Sequence, residues 1–363
     1  MNKDKINSFE FASIIPLIVS NSVLGSGFLY LFNYSRKSSI ISIILGLILS
    51  IFPIVLIFKL HNIYPNMTLT EKLKAILPKW LYYIINSIFI IMSLLLSSLI
   101  FFRLTVFFHS QFTGTFSKFA IASVLILSSY YLTSKNIEVI TRYSSTIIFI
   151  CIFSFLFDSI SLIPEININN IVPIIDYKNT LLSSLVFAFL FSGPSFLFLI
   201  IPKGNIIDKH KLKKYITVSY ILSGISLLLI NAITLGVLGI DLIKIYTYPV
   251  YIVLKKIHII SFINSIENLT VLMWFFILMF TSSLSLFFSK TCLFQMVNIK
   301  NKNIKTIINV ILNSFIAFLP LILFKNKSFF DKPISAIIPL IIYLIVYILI
   351  IIILILNKAK TIK

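Results

Sequence analysis

The run "NSVLGSGFLY", Asn21 to Tyr30, decides the reading of this chain. It lies inside an apolar stretch from Phe11 to Phe32, long enough to cross a bilayer as a helix of about 20 residues. Gly25, Ser26 and Gly27 fall within it, although glycine costs a helix interior about 1 kcal/mol relative to alanine. Two explanations compete. Small residues let helices pack closely, or the backbone departs from the helix there, which hydrocarbon tolerates only where protein or a water-filled cavity surrounds the break.

A second interrupted stretch weighs on the choice. In "NTLLSSLVFAFLFSGPSFLFLIIPK", Asn179 to Lys203, the run Ser192-Gly193-Pro194-Ser195 breaks an apolar segment. Pro194 removes a backbone donor and crowds the carbonyl four residues before it.

Working outward from these two runs, ten apolar segments are long enough to cross, at roughly 10–32, 38–59, 80–102, 119–134, 143–163, 179–202, 214–237, 268–290, 304–324 and 334–357. Only 12% of the 363 residues are charged and the mean hydropathy is +1.05, against about 25% charge in soluble domains. The expected fold class is an all-α integral membrane protein with about ten transmembrane helices, and 1–363 reads as a single polytopic membrane domain. The two interruptions fall in spans one and six, each about 15 residues into its span. Matching interruptions in corresponding positions of two halves point to a 5+5 inverted-repeat, transporter-like fold with a midplane site. The repeats would run about 10–163 and 179–357.

The net charge of +20 does not imply a nucleic-acid partner. With the N-terminus inside, the inner segments hold 20 of the 31 Lys and Arg residues, most densely in "KGNIIDKHKLKK". The positive-inside rule then places both termini in the cytoplasm. In the outer connection 238–267, "YTYPVYIVLKKIHII" spaces apolar residues so as to line one face of a short surface helix, either a plain amphipathic helix or a lid.

Chemistry-bearing residues at depth are few. Exposed half-helix N-termini at the two breaks would offer N–H groups and positive dipole ends to a carboxylate. The candidate ligand site is therefore Ser22, Gly25, Ser26 and Gly27 with Ser192, Gly193, Pro194 and Ser195. Ionisable residues within spans are functional candidates by default. Arg103, Asp158 and Glu267 all fall toward the outer side and form a possible charge cluster, with snorkelling to the interface as the alternative. No acid falls at the midplane, so a proton relay is not supported. Cys151 and Cys292 lie in apolar stretches, the four histidines are scattered, and no metal cluster, cofactor motif or nucleophile–base pattern is present. An enzyme is not expected.

Several short motifs, in order along nearly the whole chain, resemble the B subunits of spore germinant receptors, within the amino acid–polyamine–organocation transporter superfamily. They are "YPNMTLTE" (Tyr64 to Glu71), "NIEVITR" (Asn136 to Arg142), "NIVP" (Asn170 to Pro173), "IIP" with the following lysine run (Ile200 to Lys214), and "YPV" leading to "SIENLTVLMW" (Tyr248 to Trp274). The chain departs from the family pattern at Asn264-Ser265, Leu31-Phe32, Ser38-Ser39-Ile40 and Gly193, where the family tends to carry Glu-Arg, Leu-Pro, Asp-Ala-Trp and an acid. The resemblance implies a nutrient germinant receptor subunit that binds a small nutrient, often an amino acid, in the spore inner membrane and works with A and C subunits. A secondary amino acid transporter and a non-binding membrane scaffold are the competing readings.

The basic-residue asymmetry makes one prediction directly. Single cysteines placed in 203–214 should be labelled from the cytoplasmic face of oriented vesicles, and those in 167–178 from the opposite face. Labelling of 203–214 from outside alone would reverse the topology.

Overall fold

The computed structural model describes residues 5–112, 114–172, 179–257, 267–323 and 333–362. Among them the backbone is helical or looped, with one isolated parallel bridge between Ile6 and Ile206. The helices are α1 (Ser8–Ser22), α2 (Phe28–Tyr34), α3 (Ser39–Asn62), α4 (Leu69–Ile76), α5 (Lys79–Gln111), α6 (Lys118–Ser134), α7 (Ile137–Leu162), α8 (Ile168–Ile171), α9 (Thr180–Ser192), α10 (Lys209–Ile245), α11 (Pro249–Leu254), α12 (Glu267–Val297), α13 (Lys302–Leu323) and α14 (Ile337–Ile362). A π-helical turn, Val23–Gly27, joins α1 to α2, and a 3-10 segment, Gly193–Ile200, continues α9.

Each expected span has its helical counterpart. Eight helices, counting α9 with its 3-10 extension, are long and apolar enough to cross a membrane. Span one is divided by the π turn, and span four (α6) is a shorter apolar helix of 17 residues. Local sequence explains several helix starts. The Asn7 N–H donates to Glu10 Oε2 (3.0 Å) and the Thr68 N–H to Glu71 Oε2 (2.8 Å), so each acid satisfies a donor at the mouth of its helix. At α6, Ser117 Oγ accepts from the Ala120 N–H.

The packing partners follow a rule. α1 packs on α10 as α9 packs on α3; α1 on α7 as α9 on α14; α12 on α6 as α5 on α13; and α3 on α14 as α10 on α7. Exchanging each span with the one five further along maps these packed pairs onto one another, whereas, among the described residues, the α1–α12 contact has no comparable α5–α9 counterpart. The α5–α12 pair maps onto itself, and its contact is reciprocal: Ser97 Oγ donates to Ser282 O (2.9 Å) and Ser285 Oγ to Ser93 O (2.8 Å). Small hydroxyl residues there let the two backbones approach while their side chains remain satisfied.

One end of the bundle gathers the basic connections. Ile6 N–H donates to Asn205 O and Ile207 N–H to Ile6 O, Gly204 N–H donates to Pro65 O, and Lys360 Nζ reaches Ala75 O. The Lys72 side chain is fully buried and donates to the Leu60 and His61 carbonyls (3.3 and 2.8 Å), the unpaired end of α3. At the opposite end α10 turns at Gly239, whose φ of +71° suits glycine. There α8 covers the preceding turn: Asn167 N–H and Asn170 Nδ2 both donate to Gly236 O (3.0 and 2.8 Å). The short helix expected in 238–267 is α11, whose residues are buried or half-buried rather than exposed as on a surface helix.

Burial, reinforced by the charge of Lys203, lowers Lys72 to about 8 from the usual lysine value. A lowered lysine means that the unfolded chain binds more protons between about pH 8 and pH 10.4, so this group's contribution to stability rises with pH across that window. Melting curves from pH 7.5 to 9.5 should show the wild type gaining on Lys72→Met as pH rises. Parallel curves would mean that Lys72 stays charged in the fold.

Candidate functional site

The interruption in span one is a wide turn rather than an unwound segment. Through Val23–Gly27 the flanking residues keep right-handed helical angles (Ser22 at φ −67°, ψ −34°; Gly27 at −61°, −49°), and the Phe28 N–H donates to Val23 O. One extra residue per turn keeps the backbone bonded while shifting the facing side chains, a geometry frequent at functional sites. The interruption in span six is a narrowing. At Gly193-Pro194 the chain passes from α into 3-10 geometry, and every residue from Gly193 to Ile200 is buried.

These two turns do not leave an open site between them, because Tyr343 of α14 stands there. A Cβ on Gly193 would collide with the Tyr343 ring, so the ring lies directly on the backbone of span six. Ser22 Oγ donates to the Tyr343 hydroxyl (3.4 Å) from the span-one side. The other span-six hydroxyls are already partnered: Ser192 Oγ donates to Ala188 O (2.7 Å), and Ser195 Oγ shares a short hydrogen bond with the Tyr220 hydroxyl of α10. Gly27 is a packing position, since a Cβ there would meet Leu190 Cδ1 at 3.3 Å. What surrounds Gly25 lies outside the described residues.

The open space lies next to the π turn, on the side toward α11. A cavity of about 120 Å³ is walled by Asn21, Leu24, Ser26 and Phe28 of span one, by the Phe102–Phe108 stretch of α5, and by Val271, Trp274 and Phe275 of α12. Thr247, Tyr248 and the first residues of α11 complete the wall. Phe107 organises the aromatic part, with ring centroids 5.0 Å from Tyr248, 5.5 Å from Tyr251 and 6.4 Å from Trp274. A smaller cavity of about 20 Å³ shares Asn21 and Arg103 with the first and reaches Ser22, Pro339 and Tyr343. Ser26 is 2% exposed, and its hydroxyl has no hydrogen-bond partner among the described residues. Ser26 thus brings a buried, unpaired polar group to the wall of the cavity.

Arg103 and Asp158 have separate partners. Arg103 Nη2 donates to Ser335 O (3.3 Å). Asp158 is buried and takes the Thr270 hydroxyl on both carboxylate oxygens (3.0 Å each), with Ser154 Oγ 3.4 Å from that hydroxyl. Among the described residues the ion pairs are those of Arg142 with Glu10 and Glu138, so Arg103 and Asp158 are not paired. The side chain of Glu267 lies outside the described residues.

Of the residues singled out from sequence, the structure thus brings Ser22, Ser26 and Arg103 to the cavities and turns Ser192 and Ser195 away. It adds Asn21, Trp274, Tyr248 and Tyr343. The first three sit beside stretches already marked by sequence, whereas Tyr343 lies in an unbroken apolar run without a local signal.

The family model for spore germination proteins matches residues 8–330. The chain belongs to that family. No curated protein matches it. Its fold is similar to that of the Eremococcus coleocola manganese transporter in complex with an aromatic bis-isothiourea substituted compound, with a TM-score of 0.58 over 91% of this chain and 74% of the transporter, at 15% identity. Family and fold together place this spore germination protein among multi-pass membrane proteins of permease type. At that identity the likeness concerns the fold, and manganese is a statement about the neighbour.

The Gly193–Tyr343 contact is testable. Gly193→Ala should lower thermal stability by about 1–3 kcal/mol through overpacking. Tyr343→Ala in the same chain should recover part of that loss, because the clashing ring is gone. A double variant as unstable as the sum of the singles would remove this contact from the account.

Proposed function

We propose that this chain is a nutrient germinant receptor subunit that binds a small nutrient, an amino acid, at the cavity beside the π turn and helps to trigger spore germination. The observation that carries the reading is an apolar, aromatic-walled cavity at a broken span of a transporter-like fold, with an orphaned hydroxyl (Ser26) and a cation (Arg103) at its edge. Family membership supplies the germination context. The ligand site is drawn as Asn21, Ser22, Ser26, Arg103, Tyr248 and Trp274, moved outward from the midpoint between the breaks. The exchange symmetry of the packing supports two repeats, about 10–163 and 179–357. The chain sits in the spore inner membrane with both termini in the cytoplasm and partners A and C subunits. The ligand acts by binding one of two conformations better than the other, since only differential affinity moves such an equilibrium. The cover that α11 forms over the cavity makes it the natural element to differ between them.

A secondary amino acid transporter is the second reading, favoured by the fold likeness. Uptake of labelled amino acids by proteoliposomes separates the two: a transporter accumulates label, and a receptor binds without turnover.

Spores lacking the chain should lose germination to a subset of nutrients, and Ser26→Leu should shift the remaining dose–response by about 10-fold or more at normal abundance, since bulk at that wall occupies ligand space. A full response in deletion spores across amino acids, sugars and nucleosides would end the receptor reading.

A further inference from the structure

We infer that Arg103 is the anchor for a ligand carboxylate, and that the ligand is a monocarboxylic amino acid with an apolar or aromatic side chain. This rests on the receptor reading above and specifies its ligand.

The inference begins with what the two interruptions do not offer. In broken-helix carriers the N-termini of half-helices provide free N–H groups for an anion. Here the Val23 N–H donates to the carbonyls of Val19 and Ser20, the Phe28 N–H to Val23 O, and the Gly193 N–H to Phe189 O. The turns change pitch without releasing donors at these positions. With these donors occupied, a side chain at the cavity is the source of charge that the structure offers an anionic ligand.

Among the described residues, Arg103 is the one Lys or Arg that lines either cavity, and it lines both. Its guanidinium has five N–H donors in a planar fork that matches a carboxylate. The hydrogen bond it makes within the described residues goes to a neutral carbonyl, that of Ser335. A cation held at this depth without a carboxylate within salt-bridge distance, among the described residues, is costly unless an anion arrives.

The other polar groups suit the ammonium end. The Ser26 hydroxyl is buried without a partner, and Asn21 lies on the wall shared by the two cavities. Both side chains carry an oxygen that accepts a hydrogen bond. Beyond them the wall is mainly Phe107, Tyr251, Trp274, Phe275 and aliphatic residues, with no Asp, Glu or Lys among the described lining residues. Such a wall rewards an apolar side chain and penalises a charged one, which would lose its water without gaining a partner. About 120 Å³ holds roughly ten waters' worth of space at ~10–15 Å³ each. That is the scale of leucine or phenylalanine.

The test uses the full-length protein in nanodiscs, with thermal stabilisation by L-leucine, L-phenylalanine, L-phenylalaninol, L-glutamate and L-lysine as the readout. Leucine or phenylalanine should stabilise the wild type. Phenylalaninol, which keeps the ring and amine but lacks the carboxylate, should need a concentration about 30-fold higher or more, the scale of truncating one partner of a buried charge pair. Glutamate and lysine should be as weak. Arg103→Gln should abolish the preference for phenylalanine over phenylalaninol, and Arg103→Lys should keep part of it, because an ammonium attracts a carboxylate without the bidentate fork. If Arg103→Gln does not fold, the wild-type comparison of phenylalanine with phenylalaninol decides alone. Equal stabilisation by the two overturns the inference. So does a Glu267→Gln protein that loses the preference as Arg103→Gln does, since Arg103 would then serve a structural pair. The receptor reading fails separately: deletion spores that lose only a sugar or nucleoside response leave the receptor standing and sink this ligand class, whereas deletion spores with every response intact sink the receptor.

Discussion

Backbone N–H and C=O groups inside a bilayer must find partners within the protein, and that constraint shapes both interruptions. A span that simply unwound at Gly25–Gly27 would strand several donors. The π turn avoids this by widening the helix by one residue, so that Phe28 still donates to Val23. The 3-10 segment after Pro194 solves the same problem by tightening. Each alters where side chains point while keeping the chain bonded. Gly27 and Gly193 accordingly serve close packing, against Leu190 and the Tyr343 ring.

Side chains supply the polar groups that the structure places at the site. Tyr343 lies on the span-six backbone at Gly193 and meets Ser22 of span one, so one phenol links both interruptions to α14. The open volume is displaced toward α11, where aromatic rings gathered on Phe107 form a small apolar cluster separate from the main core. This geometry resembles a covered vestibule. The polar groups at its floor, Asn21, Ser26 and Arg103, are few and placed together, as in binding sites where a small number of convergent polar groups orients an otherwise apolar ligand.

The two ends of the bundle differ in how they are tied. At the lysine-rich end, Lys72 and Lys360 donate to backbone carbonyls, and the N-terminal strand-like segment bridges the loop after span six. This end is stitched by backbone and lysine bonds. At the other end, α8 covers the turn of α10 through the Asn167 N–H and the Asn170 side chain, and α11 contributes mainly apolar contacts. Apolar contacts are non-directional, so the α11 end is the one able to rearrange around a ligand.

Much of the architecture was legible in the sequence for a physical reason: the bilayer demands about 20 apolar residues per crossing, and a Gly-Ser-Gly or Ser-Gly-Pro-Ser run in such a segment is a local signal. The span count, the two interruptions, the basic end and the short helix in the outer connection were all readable, and the short family motifs fall largely on caps and loop ties such as Thr68–Glu71 and Asn170–Gly236. What only the tertiary structure decided is which side chain faces which. A proline or glycine announces a break without saying whether the helix widens, narrows or unwinds. A tyrosine in an apolar run such as Tyr343 carries no mark of the glycine it will cover 150 residues earlier. The same holds for Arg103 and Asp158, which lie at similar depth yet point to different partners, because charge pairing depends on helix rotation and packing, which linear spacing does not record.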